Sequence, residues 1–364
     1  MLDKSVVLIL DPRGIISKGG VDVLLRHQSY QDQLKLVSNQ GQSIIIMTRT
    51  MSYLVPPSIS LEIHQSSSLL GWFQNSLKWL RANSSRVKWV IAGEPWITFW
   101  ICYAIKSVLI SKSSLQLQVH GDFGNPAWRA KSISKRIRFL LLVTALRLSS
   151  SIRAVGATQA SFLRESLGKQ GGKIFVASME YSMGSLNSQV KAKPLTLGLV
   201  GRLADDRGLV DFSKFVRCLE EAVKDFNVLV VGDGRSREQL ERELAFLGDR
   251  VTFVGQKTHS EMEALWKEIS ILCSFAPIES FGRTSREAIS RGVRVLGVES
   301  SGLLDLRGIV GHKAGLELIS ERATCLDSMR AFHALEKTEV GKHVLELLHA
   351  EASNSRSALV RSWL

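Results

Sequence analysis

Residues 195–208 read LTLGLVGRLADDRG, and this stretch decides the fold of the second half of the chain. A mostly apolar run of strand-forming residues ends at Gly201, and an amphipathic segment of helical length begins at Val210. Buried strands of parallel sheets have this apolar character, because helices cover both faces of such sheets. The stretch therefore predicts a strand, a glycine-containing loop and a helix, which together form the repeating unit of an α/β domain.

The same alternation of short β-rich runs with longer amphipathic segments extends along the whole chain. Strands are predicted at Ser5–Leu10, Ser43–Thr48, Val87–Ala92, Leu115–His120, Ile152–Val155, Lys173–Val176, Thr196–Val200, Val228–Val231, Val251–Val254, Ile271–Ser274 and Arg294–Val298. Helices are predicted at Val21–Val37, Leu70–Arg81, Trp96–Ser111, Ser132–Leu148, Gln159–Leu167, Val210–Lys224, Arg237–Leu247, Glu261–Ile269 and Thr284–Arg291. This pattern predicts an α/β fold class with two doubly wound, Rossmann-like domains whose strand ends face a cleft.

The alternation is interrupted at Ser178–Lys193, a stretch rich in serine, asparagine and glycine that we interpret as an interdomain linker. The predicted domains are therefore residues 1–190 and 191–345, followed by a C-terminal tail of residues 346–364. The tail is a candidate helix that returns to the first domain. A length of 364 residues fits two domains of about 150 residues each.

The composition excludes several protein classes. Hydrophobic residues make up 45% of the chain and charged residues 22%, which disfavours disordered, collagenous and coiled-coil proteins. The four cysteines are widely spaced, so we expect no disulfide scaffold, no zinc site and a reducing compartment. The start of the chain carries Asp3, unlike a signal peptide, and the most apolar stretch, Trp96–Ile110, is too short to span a bilayer. These features predict a cytoplasmic protein.

The charge is distributed unevenly between the two halves. Residues 1–190 carry 22 basic and 9 acidic residues, whereas residues 191–364 carry 25 of each. An excess of positive charge in the first half indicates an anionic partner there. The basic half lacks aromatic residues interleaved with lysine and arginine and lacks any RNA or DNA module signature, so we expect no nucleic-acid partner.

One segment of the first half combines basic and apolar side chains at helical spacing. A helix of this kind is a candidate for the surface of an anionic membrane. The alternative is a helix packed on its sheet with a solvated basic face. The basic residues are Lys131, Lys135, Arg136, Arg138 and Arg147.

The loop Gly201–Gly208 contains two arginines, Arg202 and Arg207. Two guanidinium groups in one short loop suit a diphosphate, because each offers a fixed fork of N–H donors. Solvated loop arginines are the alternative.

The next strand is followed by Gly232-Asp233-Gly234, which lacks the third glycine of a dinucleotide fingerprint. A tight strand-to-helix turn explains it equally well, and a dehydrogenase is disfavoured.

The segment Pro277–Ala288, PIESFGRTSREA, follows a predicted strand and opens a predicted helix. Backbone N–H groups at the start of such a helix form an anion site. Glu279 precedes the helix, and Glu287 follows it by eight residues, which correspond to about two helical turns. At that spacing the two carboxylates can hold hydroxyls at opposite ends of a nucleotide sugar. A helix cap and a surface turn are the alternative.

Taken together, the motifs between Leu197 and Leu306 resemble those of the retaining GT-B glycosyltransferases of group 1 (glycosyltransferase family 4). That family has G-R-L-x-x-x-[KR]-G, V-G-D-G, V-x-F-x-G, E-x-F-G-x-x-x-x-E-A and a short glycine turn, in this order. The matching segments here are Gly201–Gly208, Val231–Gly234, Val251–Gly255, Glu279–Ala288 and Ser300–Gly302. The resemblance implies a GT-B architecture for the whole chain.

The resemblance also implies roles for individual residues. Arg202 and Arg207 would hold the donor diphosphate, with Arg207 replacing the usual lysine. Glu279 would hold hydroxyls of the transferred sugar, and Glu287 the nucleotide ribose. Arg283 and Arg286 are additional charges that we expect on a solvated helix face, a role toward an unusual acceptor being the alternative. The full set of predicted donor-binding residues is Gly19, Gly20, Arg202, Arg207, Glu279, Phe281, Gly282, Arg283, Thr284 and Glu287.

In the first half, Gly19-Gly20 and His120 match the family pattern. A Gly-Gly loop at the start of a helix lets the backbone approach an anionic ligand. His120 ends a predicted strand and would face the sugar, a structural histidine being the alternative. The predicted catalytic residues are His120, Glu279, Arg202 and Arg207.

The predicted function is transfer of a sugar from a nucleotide-diphosphate sugar to a hydroxyl of a glycan or lipid-linked acceptor, with retention of configuration. No cofactor and no obligatory metal is expected, since Asp205-Asp206 is expected to be exposed rather than a D-x-D site. The protein would be peripheral on the inner face of the membrane. The alternatives are a nucleotide-sugar epimerase of GT-B fold and a basic nucleic-acid-binding protein.

Overall fold

A computed structural model describes residues 5–38, 41–49, 55–184, 194–312 and 314–364. The chain divides into two compact units. Unit 1 contains the residues up to Glu180 together with Ser353–Leu364, and unit 2 contains Tyr181–Ala352. The boundary predicted at residue 190, with most of the predicted linker, lies outside the described residues.

The sheet of unit 1 is parallel and has the strand order β3-β2-β1-β4-β5-β6-β7. Strand β3 lies at the sheet edge and was not predicted, because its sequence EIHQS carries little apolar signal. The strands are β1 Val6–Asp11, β2 Ser43–Arg49, β3 Glu62–Ser66, β4 Val87–Ala92, β5 Ser114–Val119, β6 Ser151–Ala154 and β7 Ile174–Val176.

The helices of unit 1 connect these strands. Helix α2 coincides with its predicted range, whereas α1 and α5 are too short for a periodic pattern and were not predicted. The helices are α1 Ile15–Lys18, α2 Val21–Val37, α3 Leu69–Asn83, α4 Ile97–Leu109, α5 Pro126–Ala130, α6 Ile133–Leu148 and α7 Ala157–Leu167.

Strand β1 shows how the sequence builds a sheet that is buried on both faces. Its side chains alternate between two apolar clusters: Val6, Leu8 and Leu10 belong to one, and Val7 and Ile9 to the other. Successive side chains of a strand point to opposite faces, so a continuous apolar run needs a core on each side. The prediction of buried parallel strands is confirmed.

The sheet of unit 2 is also parallel and has the order β10-β9-β8-β11-β12-β13. Strand β13 was not predicted, since it is only four residues long and includes Glu317. The strands are β8 Leu195–Val200, β9 Phe226–Val231, β10 Val251–Gly255, β11 Ile271–Ser274, β12 Arg294–Val298 and β13 Leu316–Ile319.

The helices of unit 2 include two, α12 and α13, that were not predicted. They are α8 Leu209–Ala222, α9 Arg237–Leu244, α10 His259–Leu265, α11 Arg283–Ile289, α12 Ser301–Val310 and α13 Cys325–Glu336. Helix α14, Lys342–Arg361, belongs to unit 2 as far as Ala352 and to unit 1 from Ser353 onward.

In both sheets the strand order reverses beside the first strand, which is the Rossmann arrangement. The predicted fold class, two doubly wound α/β domains, is confirmed.

One cysteine pair was not predicted from the sequence. Cys218 on α8 and Cys325 on α13 form a disulfide with a Cα–Cα distance of 5.9 Å. The pair is 107 residues apart in sequence, and the packing of two helices brings it together. Cys102 and Cys273 are buried free thiols.

Within the described ranges, no helix combines the length and apolarity that a bilayer span requires. The apolar stretch Trp96–Ile110 forms α4, whose residues Phe99, Cys102 and Ile105 lie in the core of unit 1. The prediction of a helix at Trp96–Ser111 is confirmed, with the structure ending it at Leu109.

Candidate functional site

Both sheets have a topological switch point, where chain connections leave in opposite directions from adjacent strands. Ligands of doubly wound folds bind at the carboxyl ends of the strands at this point. In unit 2 the switch point lies between β8 and β11, and in unit 1 between β1 and β4. The sequence motifs Gly201–Gly208 and Pro277–Ala288 directly follow β8 and β11.

An ion pair joins the two motif loops of unit 2. Nη1 of Arg207 donates to Oε2 of Glu279 at 2.6 Å, although 72 residues separate the two side chains in sequence. The second carboxylate oxygen of Glu279 accepts the backbone N–H of Phe281 at 3.3 Å. Nε of Arg207 is buried and has no hydrogen-bond partner among the described residues. The predicted pair of donor-binding residues is therefore assembled at the switch point, partly shielded from solvent.

Two glycines allow the backbones around this pair to approach closely. Gly208 has φ +68°, and a Cβ atom there would lie 2.0 Å from the carbonyl oxygen of Phe275. A Cβ atom on Gly302 would lie 2.4 Å from the carbonyl carbon of Phe281. The N–H of Gly302 donates to the Glu279 carbonyl at 2.7 Å, which fixes the loop that carries the carboxylate. Any larger residue would displace these loops.

Arg202 lies in the same loop as Arg207 but in a different environment. Its side chain is 61% exposed and pairs with Asp206 at 3.1 Å. Asp205 pairs with Arg235 at 2.8 Å and accepts a hydrogen bond from the Ser236 hydroxyl. These two bonds hold the pKa of Asp205 below its usual value. The expectation that Asp205-Asp206 is exposed is confirmed.

The start of α11 holds the remaining predicted donor residues. Gly282 is its N-cap, with φ +69°, and Phe281 and Gly282 are buried while Thr284 is partly buried. Arg283 pairs with Glu287 at 2.9 Å along the helix. Glu287 also accepts the backbone N–H of Ser182 at 3.4 Å.

Arg286 contradicts the expectation of a solvated helix face. Its side chain is 1% exposed and its guanidinium lies 4.0 Å from the centre of the Phe281 ring. It donates to the carbonyls of Phe281 and Gly302 and pairs with Glu351 of α14 at 3.0 Å. The prediction failed because Glu351 lies 65 residues further along the chain. Arg286 holds the loop that carries Glu279 against the start of α12.

In unit 1, Asp11 organises the loop that contains Gly19 and Gly20. One carboxylate oxygen accepts the N–H of Ile15 at 2.8 Å, and the other accepts the N–H of Ile16 and the Thr48 hydroxyl, both at 2.7 Å. Gly20 is the N-cap of α2 with φ +76°. The carboxyl end of β1 thus leads directly into the Gly-Gly loop.

A cavity of about 280 Å³ lies at the switch point of unit 1. It brings together two predicted site residues, Gly19 and His120. Several lining residues escaped prediction because they come from separate elements: they are Arg26, His27, Tyr30, Thr98, Gln118, Arg153 and Trp363. A signal for one of them exists in the sequence, since Arg153 lies inside the apolar run predicted as a buried strand.

The two histidines of this cavity are neutral at pH 7. Burial, reinforced by Arg153 and Arg26, lowers the pKa of His120 to about 3. Burial also lowers the pKa of His27 to about 4, against the effect of its hydrogen bond with the Val23 carbonyl. Neutral imidazoles in this cavity can donate or accept a hydrogen bond but carry no charge.

Across the described ranges, histidine, cysteine, aspartate and glutamate side chains form no group of three that could hold a metal ion.

In the comparison with known protein families, residues 186–312 match the model described as glycosyl transferases group 1. A curated relative, the 2-deoxystreptamine glucosyltransferase of Streptomyces kanamyceticus, is 34% identical over 116 residues. That alignment spans 31% of this chain and 30% of the relative.

Solved structures match over the whole chain. The sucrose-phosphate synthase of Thermosynechococcus elongatus has a TM-score of 0.74 at 16% identity, covering 99% of this chain and 98% of its own. HepE of Anabaena, in complex with UDP and glucose, has a TM-score of 0.66 at 16% identity, covering 98% and 99%. At this identity the likeness shows the fold. The chain therefore has the GT-B fold, and its residues 186–312 carry a group 1 glycosyl transferase domain.

Proposed function

We propose that the chain is a glycosyltransferase that moves a sugar from a nucleotide-diphosphate sugar to a hydroxyl of an acceptor. The observation that supports this most is the Arg207–Glu279 pair at the switch point of unit 2, inside the matched domain. The guanidinium of Arg207 can bind the diphosphate of the donor, and the carboxylate of Glu279 can accept hydrogen bonds from hydroxyls of its sugar. The two parts of the donor would therefore bind to adjacent side chains. The name of the curated relative, a glucosyltransferase, supports a hexosyl group as the transferred sugar.

The chemistry requires stabilisation of a leaving diphosphate. The bond between the sugar C1 and the phosphate oxygen breaks, and its electron pair leaves with the diphosphate. The acceptor oxygen forms the new bond to C1, and its proton passes to the leaving phosphate. Charge grows on the diphosphate through an oxocarbenium-like state. Arg207 and Arg202 would stabilise that charge.

Donor binding would rearrange the present ion pairs. Arg207 would turn from Glu279 to the diphosphate, which frees the carboxylate for hydroxyls of the transferred sugar. Arg202 is exposed and pairs with the exposed Asp206, so its exchange of partners costs little. Glu287 would accept from the nucleotide ribose. We further propose that transfer requires no obligatory metal and retains the anomeric configuration, as the family resemblance implies.

In this proposal unit 1 binds the acceptor. His120 and Gly19 line its cavity, and the neutral His120 would hydrogen-bond a sugar hydroxyl rather than act as a cationic acid. Unit 1 also carries the basic excess of the chain, which suits an acceptor held at a membrane surface.

A panel of nucleotides tests the donor site. Thermal shift is measured with UDP, GDP, ADP, UDP-glucose, UDP-N-acetylglucosamine and GDP-mannose, since ligands of the folded state raise the melting temperature. We expect one base to shift the wild-type chain and to lose its effect in Arg207→Ala, but not in Arg330→Ala, an exposed arginine of α13. Folded protein that responds to none of these compounds would contradict the proposal.

Product analysis separates transfer from epimerisation. A glycosyltransferase forms a glycoside only when an acceptor is present, whereas an epimerase converts a lone nucleotide sugar. The anomeric configuration of the glycoside, measured by NMR, tests retention. A product with inverted configuration would refute that part of the proposal.

We also propose that α6 contacts an anionic membrane surface. Its apolar side chains Ile133, Ile137 and Leu140 are more than half exposed. From Phe123 to Arg164 the chain contains no acidic residue. Two cations of this region lie over aromatic rings, Arg129 over Phe139 and Lys135 over Trp128. Apolar residues that enter the headgroup region and cations that contact lipid phosphate are the features of an interfacial helix.

Flotation with phosphatidylcholine vesicles, with and without phosphatidylglycerol, tests this contact. Each cation near an anionic surface contributes about 1 kcal/mol, so we expect reversible binding to the anionic vesicles alone. Ile137→Glu should weaken it, whereas Leu36→Glu, which changes an exposed leucine of α2, should not. Equal flotation with both vesicle types would end the proposal.

A further inference from the structure

The cavity of unit 1 contains a buried cation whose charge is not neutralised by an ion pair. Arg153 is 3% exposed, and its guanidinium donates to the carbonyl oxygens of Ala177 and Ser178 and to Oε1 of Gln118. None of the ion pairs formed by the described residues involves it. Burial of a charge is costly unless an opposite charge compensates it. The cavity beside Arg153 is therefore a favourable place for an anion.

The other charged side chains of the cavity leave it positive. Arg26 is a second cation in the lining, while His27 and His120 are neutral at pH 7. Asp11 is the acidic residue among the lining side chains, but its two oxygens already accept three hydrogen bonds from unit 1 itself. With two cations and one carboxylate, the cavity keeps a net charge of about +1 at pH 7.

A second observation indicates a ligand that also carries hydroxyl groups. The Thr98 side chain lines the same cavity and is 2% exposed, and its hydroxyl has no hydrogen-bond partner among the described residues. A buried hydroxyl without a partner is costly, and a ligand hydroxyl would satisfy it. His120 lines the same cavity, and its neutral imidazole can exchange a hydrogen bond with a ring hydroxyl.

The size of the cavity limits the ligand. A volume of about 280 Å³ lies just below the ordinary range for small-molecule sites, which suits a single sugar ring rather than a larger ligand. Apolar side chains such as Ile9, Tyr30 and Trp363 supply much of the wall and can pack against the faces of a ring.

We propose that this cavity recognises the acceptor through an anionic substituent, a carboxylate or a phosphate, carried on a single hydroxylated ring. The inference rests on the proposed function, since it takes unit 1 as the acceptor domain. Arg153 and Arg26 bind the anion, and Thr98 and His120 bind ring hydroxyls. The same cavity disfavours a cationic amino sugar, because an ammonium group would add to the positive charge already present.

Titration calorimetry on the full chain tests this with four probes that share one ring: D-glucuronate, glucose 6-phosphate, glucose and glucosamine. We expect at least one of the two anions to bind about tenfold more tightly than glucose, and glucosamine to bind more weakly than glucose. The two anionic probes distinguish a carboxylate from a phosphate substituent.

Three variants connect the preference to the cavity. Arg26→Gln changes a partly exposed side chain and should lower the affinity for the anion about tenfold without changing that for glucose. Arg81→Gln, the matched change at an exposed arginine of α3, should alter neither affinity. Arg153→Gln should abolish the preference, and Arg153→Lys retains the charge if the glutamine variant does not fold.

Several results would overturn the inference. Glucose binding as tightly as both anions would do so, as would the absence of binding by both anions at millimolar concentrations. Equal effects of Arg26→Gln and Arg81→Gln on the affinity for the anion would show that the charge of Arg26 does not contribute to binding in the cavity. A loss of nucleoside diphosphate binding in Arg26→Gln, with anion binding unchanged, would assign these cations to the donor.

The nucleotide panel keeps this inference separate from the proposed function. If a nucleoside diphosphate binds and the sugar probes show no charge preference, the inference fails and the transferase proposal stands. If no nucleotide binds, the transferase proposal fails whatever the sugar probes show.

Discussion

Units 1 and 2 share a strand order, yet their switch points hold arginines in different electrostatic surroundings. In unit 2, Arg207 pairs with Glu279 and the buried Arg286 pairs with Glu351. In unit 1, Arg153 is as deeply buried as Arg286 but donates only to uncharged oxygens. Unit 2 thus supplies a carboxylate for each of these two arginines, whereas Arg153 has no carboxylate partner among the described residues.

This difference has a physical consequence for ligand binding. A ligand of unit 2 must compete with ion pairs that already exist, so binding exchanges one partner for another. A ligand of unit 1 would supply a charge that the folded chain lacks. We therefore expect substitutions at these two ion pairs of unit 2 to affect turnover and stability strongly. In unit 1, the two histidines beside Arg153 should make stability depend on pH.

The largest effect is expected at the ion pair of unit 2. Arg207→Ala and Glu279→Gln should each lower kcat by about 1,000-fold, or ~4 kcal/mol of transition-state stabilisation, because each removes a group that binds the reacting donor. Steady-state kinetics with the nucleotide sugar found by the panel measures this. Arg330→Ala is the control, and near-normal turnover in both site variants would show that the donor lies elsewhere.

Arg286→Ala should cost about 3 kcal/mol in the free energy of unfolding, because it leaves the Glu351 carboxylate without its partner in a mostly buried position. Urea denaturation of the variant and of Arg330→Ala measures the difference. A loss of less than about 1 kcal/mol would mean that Arg286 does not hold the loop of Glu279 in the way its contacts indicate.

The histidines of unit 1 should make stability depend on pH. Their pKa values of about 4 and about 3 lie below the ordinary value of 6.5, so the unfolded chain binds more protons below pH 6.5. Stability should therefore fall as the pH decreases from 6.5 toward 4, by about 1 kcal/mol per pH unit for each histidine.

The difference between wild type and variants isolates this effect from the carboxylates. His27→Gln and His120→Gln should each flatten the decline of unfolding free energy with decreasing pH. Parallel pH profiles for the wild type and both variants would show that these imidazoles are not held neutral by the folded chain.

The smallest effect is expected at the surface of unit 2. Asp206→Asn removes the partner of Arg202, and both side chains are mostly exposed, so the unfolding free energy should change by less than about 0.5 kcal/mol. Urea denaturation measures it. A loss of more than 1 kcal/mol would place this pair among the structural ion pairs of the unit.

The sequence predicted the features that depend on neighbours along the chain. Apolar runs predicted eleven of the strands, and the range of α2 was predicted without error. The motif loops of unit 2 could be located because each follows a strand directly. The polar edge strand β3 and the four-residue β13 carried too little pattern to be found.

The features that were missed depend on partners far along the chain. The burial of Arg286 depends on Glu351, and the disulfide joins cysteines that only the packing of α8 and α13 brings together. The cavity of unit 1 draws Arg26, Thr98 and Arg153 from three elements. None of these side chains has a local pattern that reveals its partner.

The end of the chain has a consequence for how unit 1 acquires its cavity during synthesis. Trp363 is buried, lines the cavity, packs against Tyr30 and donates its indole N–H to Oε1 of Gln116 at 3.0 Å. A ribosome completes all of unit 2 before it adds this wall. The residues of unit 1 up to Glu180 are therefore synthesised before unit 2, but the cavity cannot be complete until the twelve residues Ser353–Leu364 have been added. Unit 1 reaches its final fold only after unit 2 has been translated.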